Sequence, residues 1–298
     1  MNERVVISGA SGLVGSALAR SYLEDGVEVT RLVRRAPRHP HETQWSPGAE
    51  PLDPTILAGV SAVINLNGAS IGRLPWTRGY HETIMASRLQ PTRTLATALR
   101  AMGSDAPMFV SASAVGFYGD RPGEPLDERS APGSTFLARV CEAWEQEAEA
   151  AGSQATVSLL RTAPILHPSG VLKPMMLLTK LGLSGPLGTG RQIWPWISLE
   201  DEIRAIRHIV DRRIAGPVNL SGPELMTANA IGRRLARRLR RPFWLPAPSW
   251  ALRLGLSRDA ADSLLLSDAA VSPTALAESG FEFSHPTAGS AIEAALPA

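Results

Sequence analysis

Three glycines, Gly9, Gly12 and Gly15, stand between a β-branched run, Val5-Val6-Ile7, and a stretch whose apolar residues Val14, Leu18, Tyr22 and Leu23 recur at helical spacing. Strand, glycine turn and helix in that order confine the chain to an α/β fold that opens on a phosphate-binding turn. Gly9 permits the tight turn, Gly12 lets a pyrophosphate approach the backbone, and Gly15 lets helix pack on strand. The helix N-terminus offers free N–H groups and a partial positive charge to phosphates. The Ser11 hydroxyl adds a donor there. The spacing is GxxGxxG and not GxGxxG, so the glycines alone also fit a tight turn that holds no nucleotide.

A second strand, from Glu28, ends in Arg34 and Arg35. An acidic residue at this tip selects NAD, whereas arginine accommodates a 2′-phosphate. No Asp or Glu stands there, so NADP is the expected cofactor; the alternative is a pair of solvated surface arginines. Residues 36–54 read as an irregular loop anchored by Trp45. The next buried strand, Ala62 to Leu66, runs into Asn67-Gly68-Ala69, where a small residue lets backbone pass close to a cofactor. Residues 72–102 read as mostly helical, with Ile84, Leu89, Leu95 and Leu99 as the apolar stripe and Arg88 able to reach a phosphate. The strand from Met108 puts Ser111 and Ser113 at its C-terminal end, where open α/β sheets hold ligands. A helix with Val140, Trp144 and Ala148 on one face follows, then a strand ending at Arg161-Thr162. Strand and helix in alternation imply a parallel sheet with right-handed crossovers.

After Leu166 the pattern changes to glycine loops, a short helix and a strand-to-helix return near Trp196, where Asp201 reads as a cap. A helix from Thr227 precedes an extended stretch rich in Pro and Trp, and two short helices flank Gly280–Phe283. The expected organisation is a Rossmann-type doubly wound parallel sheet over residues 1–166, to which 196–222 return. A smaller α+β substrate or lid domain would comprise 167–195 and 223–298.

Cys141 is the only cysteine, so the chain has no intramolecular disulfide and no Cys-rich metal site; no metal is expected. No run approaches the roughly 20 apolar residues of a membrane span. The N-terminus enters a strand directly without a signal-type apolar region, so a cytoplasmic location is expected. The net charge of +2 rests almost wholly on arginine, with Lys173 and Lys180 the only lysines, which argues poorly for nucleic-acid binding. Arg233, Arg234, Arg237 and Arg238 lie away from the stripe of Ile231, Leu235 and Leu239. A solvated face is the expectation there, with nucleic acid or membrane as alternatives. The expected partners are a small-molecule substrate and a second copy in a homodimer, with neither nucleic acid nor membrane.

Taken together, GASGLVG, INLNGASI with a following PWT, the ASR of the long helix, SASAVGFYGD, FLARVCEAWE, LLRTAPIL, GLSGPLGTGRQIWPWISLED and ESGFEF span nearly the whole chain. This set resembles the extended short-chain dehydrogenase/reductase superfamily, and within it the atypical YfcH-type epimerase-like proteins. The resemblance implies an NADP-binding Rossmann domain and a small C-terminal domain closing over a substrate cleft. It implies Gly9, Ser11, Gly12, Leu13, Val14 and Gly15 at the pyrophosphate, and Val33 and Arg34 on the 2′-phosphate side. Leu66, Asn67 and Gly68 would pass the ribose and pyrophosphate, although the family more often has Ala in place of Asn67. Arg88 is similar to a cofactor-contacting arginine; Ser111, Arg161 and Thr162 would lie near the nicotinamide. Gly185, Gly188, Gly190 and Gln192 would line the substrate side.

Enzymes of that superfamily carry a Tyr-x-x-x-Lys pair for acid/base work. This chain cannot have it. Tyrosine occurs only at Tyr22, Tyr80 and Tyr118, and the residues four before the two lysines are Ser169 and Met176. Phe136 and Val140 stand at the matching place, while Ser113 matches the usual catalytic serine. Losing a general acid/base costs roughly 10²–10⁴-fold in rate, whereas cofactor binding rests on other contacts. Tyr118 is the substitute proton donor expected from sequence proximity to Ser113; the alternative is a packing aromatic. The functions in view are an NADP-dependent epimerase or oxidoreductase acting on a small polar, sugar-nucleotide-like substrate, and a non-catalytic NADPH-sensing partner protein.

Overall fold

The computed structural model describes residues 3–297. Seven strands form one sheet: β1 (Arg4–Ser8), β2 (Glu28–Val33), β3 (Glu42–Gln44), β4 (Ala62–Asn65), β5 (Met108–Ala114), β7 (Val157–Thr162) and β8 (Gly216–Leu220). They lie in the order β3-β2-β1-β4-β5-β7-β8, every pair parallel. Between them in sequence, β6 (Pro125–Leu126) instead pairs with β9 (Ala270–Val271) and ties the C-terminal part to the loop after β5. Val5, Val6 and Ile7 are wholly buried, as a central parallel strand covered on both faces requires.

Helices α1 (Leu13–Glu24) and α5 (Leu199–Arg212) touch each other on one face, and α2 (Arg78–Met102) and α3 (Phe136–Glu149) on the other. Winding runs outward in both directions from β1 and β4. The crevice between their C-terminal ends is therefore the switch point at which such sheets bind ligands. The expected doubly wound α/β fold is the one observed.

Helices α4 (Leu172–Lys180), α6 (Ala228–Arg238) and α10 (Ala288–Ala295) enclose a separate small core with Trp194, Trp196, Ile231, Leu235 and Ile292. The remaining helices are α7 (Ser249–Leu256), α8 (Arg258–Leu264) and α9 (Thr274–Glu278), the last packed on β8. Asp201 is not the cap of α5. Ser198 is, accepting from the Asp201 N–H, while the Asp201 carboxylate accepts the Ser284 and His285 N–H groups and so ties down the C-terminal segment.

Three local readings change. Residues 36–54, expected to be loop, contain the short edge strand β3. It carries too few apolar residues to show periodicity, and its pairing with β2 comes from the sheet. The stretch from Ser249, expected to be extended, is helix α7, which starts immediately after Pro248 as a helix can. The long helix begins at Arg78, where Thr77 caps it by accepting from the Tyr80 N–H.

Candidate cofactor and substrate site

Gly9 has φ +79°, and a Cβ on it would stand 2.5 Å from the Leu66 carbonyl oxygen, so no other residue fits this turn. A Cβ on Gly15 would collide with the Gly9 carbonyl. Gly12 is the N-cap of α1 in an extended conformation, with no side chain capping the helix and no acid in its first turn. The Gly12 N–H bonds Gly9, and Ser16 is the first helical residue to find an acceptor, at Gly12. The N–H groups of Leu13, Val14 and Gly15 therefore have no partner among the described residues and converge at the positive end of the helix dipole. Ser11 stands exposed beside them.

At the tip of β2 the two arginines differ. Arg35 makes a two-pronged bond to Glu42 at 2.7 and 2.8 Å. That pairing, with the Arg38 N–H, holds the Glu42 carboxyl down at about 2. Arg34 is exposed and meets no carboxylate among the described residues, just past the half-buried Val33. An unengaged guanidinium in this place fits a phosphate on the adenosine ribose.

Beyond β4, Leu66 continues the sheet by donating its N–H to Ser8. The Asn67 amide turns inward and donates to Ser8 at 2.7 Å and Asn65 at 2.8 Å. Asn65 in turn reaches Thr92 and Ser111, and Trp144 donates to Thr92. Asn67 therefore turns only its backbone toward the space a ribose would pass, and the Ser111 hydroxyl is enclosed against Asn65. Arg88 donates to the carbonyls of Ile84 (3.0 Å) and Ala69 (3.2 Å) and lies 5.2 Å from the Trp144 ring. A Cβ on Gly68 would stand 3.2 Å from its guanidinium carbon. Desolvation lowers the Arg88 pKa from its usual value, yet arginine stays charged, and no carboxylate neutralises it among the described residues.

Ser113, Arg161 and Asn219 stand side by side in register on β5, β7 and β8. The Ser113 hydroxyl donates to Glu145 at 2.6 Å. Arg161 grips the same carboxylate through two nitrogens at 2.9 and 2.8 Å, stacks 3.6 Å from Phe117, and donates to the Tyr118 hydroxyl at 3.0 Å. Tyr118 donates its proton to Asn219 at 2.6 Å. Its ring is 0 % exposed, and burial pushes its phenol up to about 12. The Tyr118 proton is thus committed to Asn219 and its hydroxyl is buried, an arrangement that fits the packing-aromatic alternative better than a proton donor. Arg161 is likewise held in a buried ion pair and not free beside a nicotinamide.

Thr162, one residue further along β7, donates to Glu202 at 2.9 Å. Glu202 is fully buried, its second oxygen has no partner among the described residues, and burial pushes its carboxyl up to about 8. Cys141 is equally enclosed, and burial raises its thiol to about 12, so it is no nucleophile. Sequence reasoning missed Glu145, Asn219 and Glu202. A signal existed for the first: Arg161 sits inside an apolar strand and Glu145 on the buried stripe of a helix, and each needs a counterion. No group of three or more His, Cys, Asp or Glu is placed to hold a metal among the described residues.

A doubly wound sheet, an unblocked phosphate cradle at its switch point and a free arginine at the tip of β2 define a dinucleotide-binding α/β protein. The chain belongs to the NAD dependent epimerase/dehydratase family, whose profile matches residues 5–221. Residues 247–295 match a domain of unknown function, DUF1731. "Epimerase family protein Mb2239" of Mycobacterium bovis is 39 % identical over 294 residues, 98 % of this chain and 97 % of that protein. The crystal structure of human epimerase family protein SDR39U1 with NADPH superposes with a TM-score of 0.89 at 26 % identity, covering 98 % of this chain and 99 % of the human one. A nucleoside-diphosphate sugar epimerase from Corynebacterium glutamicum superposes at 0.79 with 30 % identity, covering 99 % of this chain and 58 % of that one.

Proposed function

We propose that this chain binds NADP and uses it in an epimerase- or oxidoreductase-type reaction on a small polar, sugar-nucleotide-like substrate. The observation that carries the cofactor half is the set of three unpartnered N–H groups at Leu13, Val14 and Gly15 on an uncapped helix N-terminus. The unpaired Arg34 supports the phosphorylated form of the cofactor, and the Arg88 guanidinium, with no carboxylate to neutralise it among the described residues, supports an anion near the Leu66–Ala69 loop. The NADPH in the human relative and the substrate class in the Corynebacterium protein's name point the same way. The cofactor supplies hydride acceptance and donation; this chain's part is to cradle the pyrophosphate in backbone and to keep the ends of β5, β7 and β8 rigid. Ser113 retains lone pairs for a substrate hydroxyl while its own proton rests on Glu145.

Titration of nicotinamide fluorescence tests the reading. NADPH is expected to bind at least about tenfold tighter than NADH, or about 1.4 kcal/mol, and Arg34→Ala to remove most of the difference. Equal affinities in the wild-type protein refute it.

A second reading, a non-catalytic NADPH-sensing protein, is favoured by the sealing of Tyr118 and the lack of any Tyr-x-x-x-Lys pair. Assays of nucleoside-diphosphate sugars and simple carbonyl compounds separate the two. Tight NADPH binding with neither redox nor stereochemical turnover leaves the second standing.

A further inference from the structure

Charge in this chain is segregated in a way the cofactor site does not use. Residues 167–197 and 225–257 together carry ten Lys and Arg and not one Asp or Glu, although the whole chain is nearly balanced at +2. Both lysines of the protein lie there, on α4. These two segments meet. The Trp244 N–H bonds the Ser184 carbonyl, its indole bonds the Gly182 carbonyl, and Leu187 bridges to Ala247. The surface they share is apolar. Trp244, Trp250 and Leu254 are 64, 69 and 82 % exposed on one segment, and Leu177, Leu181 and Leu183 are exposed on the other. Trp250 and Leu254 are four residues apart on α7 and so project from one side of it.

We propose that this face is a membrane-surface site, taking the headgroups and upper acyl region of an anionic lipid bilayer. Lys180 directly precedes Leu181, Arg240 and Arg241 directly precede Pro242-Phe243-Trp244, and the Arg233 guanidinium lies 5.8 Å from the Phe243 ring. Arg233, Arg240, Arg241 and Lys180 are exposed and meet no carboxylate among the described residues. A rim of cations round exposed Trp and Leu is the pattern of a helix or loop lying in the interface plane, the indoles at headgroup depth and the leucines below. Cations near an anionic leaflet add attraction that falls off within a Debye length.

The same charge decides against the other occupants. A second copy docked face to face would set one predominantly basic surface against another, since the nearby Asp262 and Glu224 are already paired with Arg253 and Arg234. Nucleic acid would satisfy the arginines and leave the leucines wet, since its interfaces are more polar than this. The site lies on the surface and asks for no spanning segment; no helix among the described residues is long and apolar enough to cross a membrane.

Vesicle flotation with the full chain tests this, using phosphatidylcholine alone and phosphatidylcholine with 30 mol % phosphatidylglycerol (roughly a third anionic, enough for surface attraction). The expected result is flotation with the anionic vesicles only, with a blue shift of Trp emission and a loss of roughly tenfold in bound fraction at high salt. Trp250→Ser with Leu254→Ser, and separately Arg240→Glu with Arg241→Glu, are each expected to reduce binding at least about tenfold. Unchanged thermal unfolding and NADPH affinity in both variants show that the fold persists. No flotation, flotation that neither pair of substitutions alters, a dimer in solution lost on the Trp250 and Leu254 changes, or retention on DNA with no vesicle binding would each overturn the proposal.

Discussion

Glu202→Gln isolates the cost of burying one carboxyl. Among the described residues the Glu202 side chain accepts a single hydrogen bond, from Thr162, and no charged group acts to stabilise its ionised form. Moving a carboxyl from its ordinary 4.5 to about 8 penalises the ionised folded form by about 5 kcal/mol at most, since relaxation and water entry reduce the figure. The folded value lies above the unfolded one, so the folded protein holds a proton that the unfolded chain releases above about 4.5. Stability contributed by the protonated group is present in full below that pH. It falls by roughly 1.4 kcal/mol per pH unit up to about 8 and is level beyond. Glutamine has nothing to lose in this window. The variant is therefore expected to match the wild type near pH 5 and to exceed it by a few kcal/mol near pH 8.5. Urea unfolding at pH 5, 7 and 8.5 reads this directly, because all other titrating groups are shared and cancel in the difference. Two curves separated by a constant offset at every pH would refute the reasoning.

Glu145→Ala strips the counterion from the enclosed Arg161 and is expected to cost roughly 3–5 kcal/mol, measured by chemical unfolding. Gly15→Ala drives a methyl into the Gly9 carbonyl, so it should lower the melting temperature and abolish nicotinamide fluorescence enhancement together. Tyr118→Phe leaves Asn219 Oδ1 without its donor and should cost about 1–3 kcal/mol. Wherever a turnover assay exists, its rate should stay within a few-fold of wild type in the same variant, since a group sealed from substrate transfers no proton to it.

How much of this was legible in the sequence follows from where each determinant resides. The phosphate turn was readable because its requirements are local: Gly9 needs positive φ and Gly15 needs no Cβ, and both are visible as residue types at fixed spacing between a strand and a helix. The residues alone left Arg34 and Arg35 equivalent, and only the family resemblance singled out Arg34. Only the edge strand β3, invisible to periodicity, brings Glu42 back to occupy Arg35 and leave Arg34 free. The setting of Tyr118 was hidden for a similar reason. Five residues separate it from Ser113 in sequence, yet its hydroxyl is fixed by Asn219, 101 residues away on a strand paired two positions across the sheet. Helix α7 was hidden by the prolines before it, whose last member, Pro248, is the residue from which it starts.

Cofactor binding and proton transfer are written in different materials in this protein, so one can persist without the other. The cradle is backbone: glycines that admit the chain, N–H groups that α1 leaves unused, and a loop at Leu66–Ala69 kept open by Gly68. Proton transfer requires a side chain with both a labile proton and access, and the polar side chains at the ends of β5, β7 and β8 have spent theirs on one another. The Ser113 proton rests on Glu145, that of Tyr118 on Asn219, and Arg161 is clamped between them. A row of this kind is stiff, because displacing any member strands a buried charge or donor at a cost of several kcal/mol. A row so committed is a poor source of protons. If these protons stay where the structure holds them, a reaction here draws its proton from the substrate, from solvent, or from a group brought in by the C-terminal part. An enzyme drawing on solvent should show turnover that tracks hydroxide or buffer concentration, with no ionisation that belongs to Tyr118.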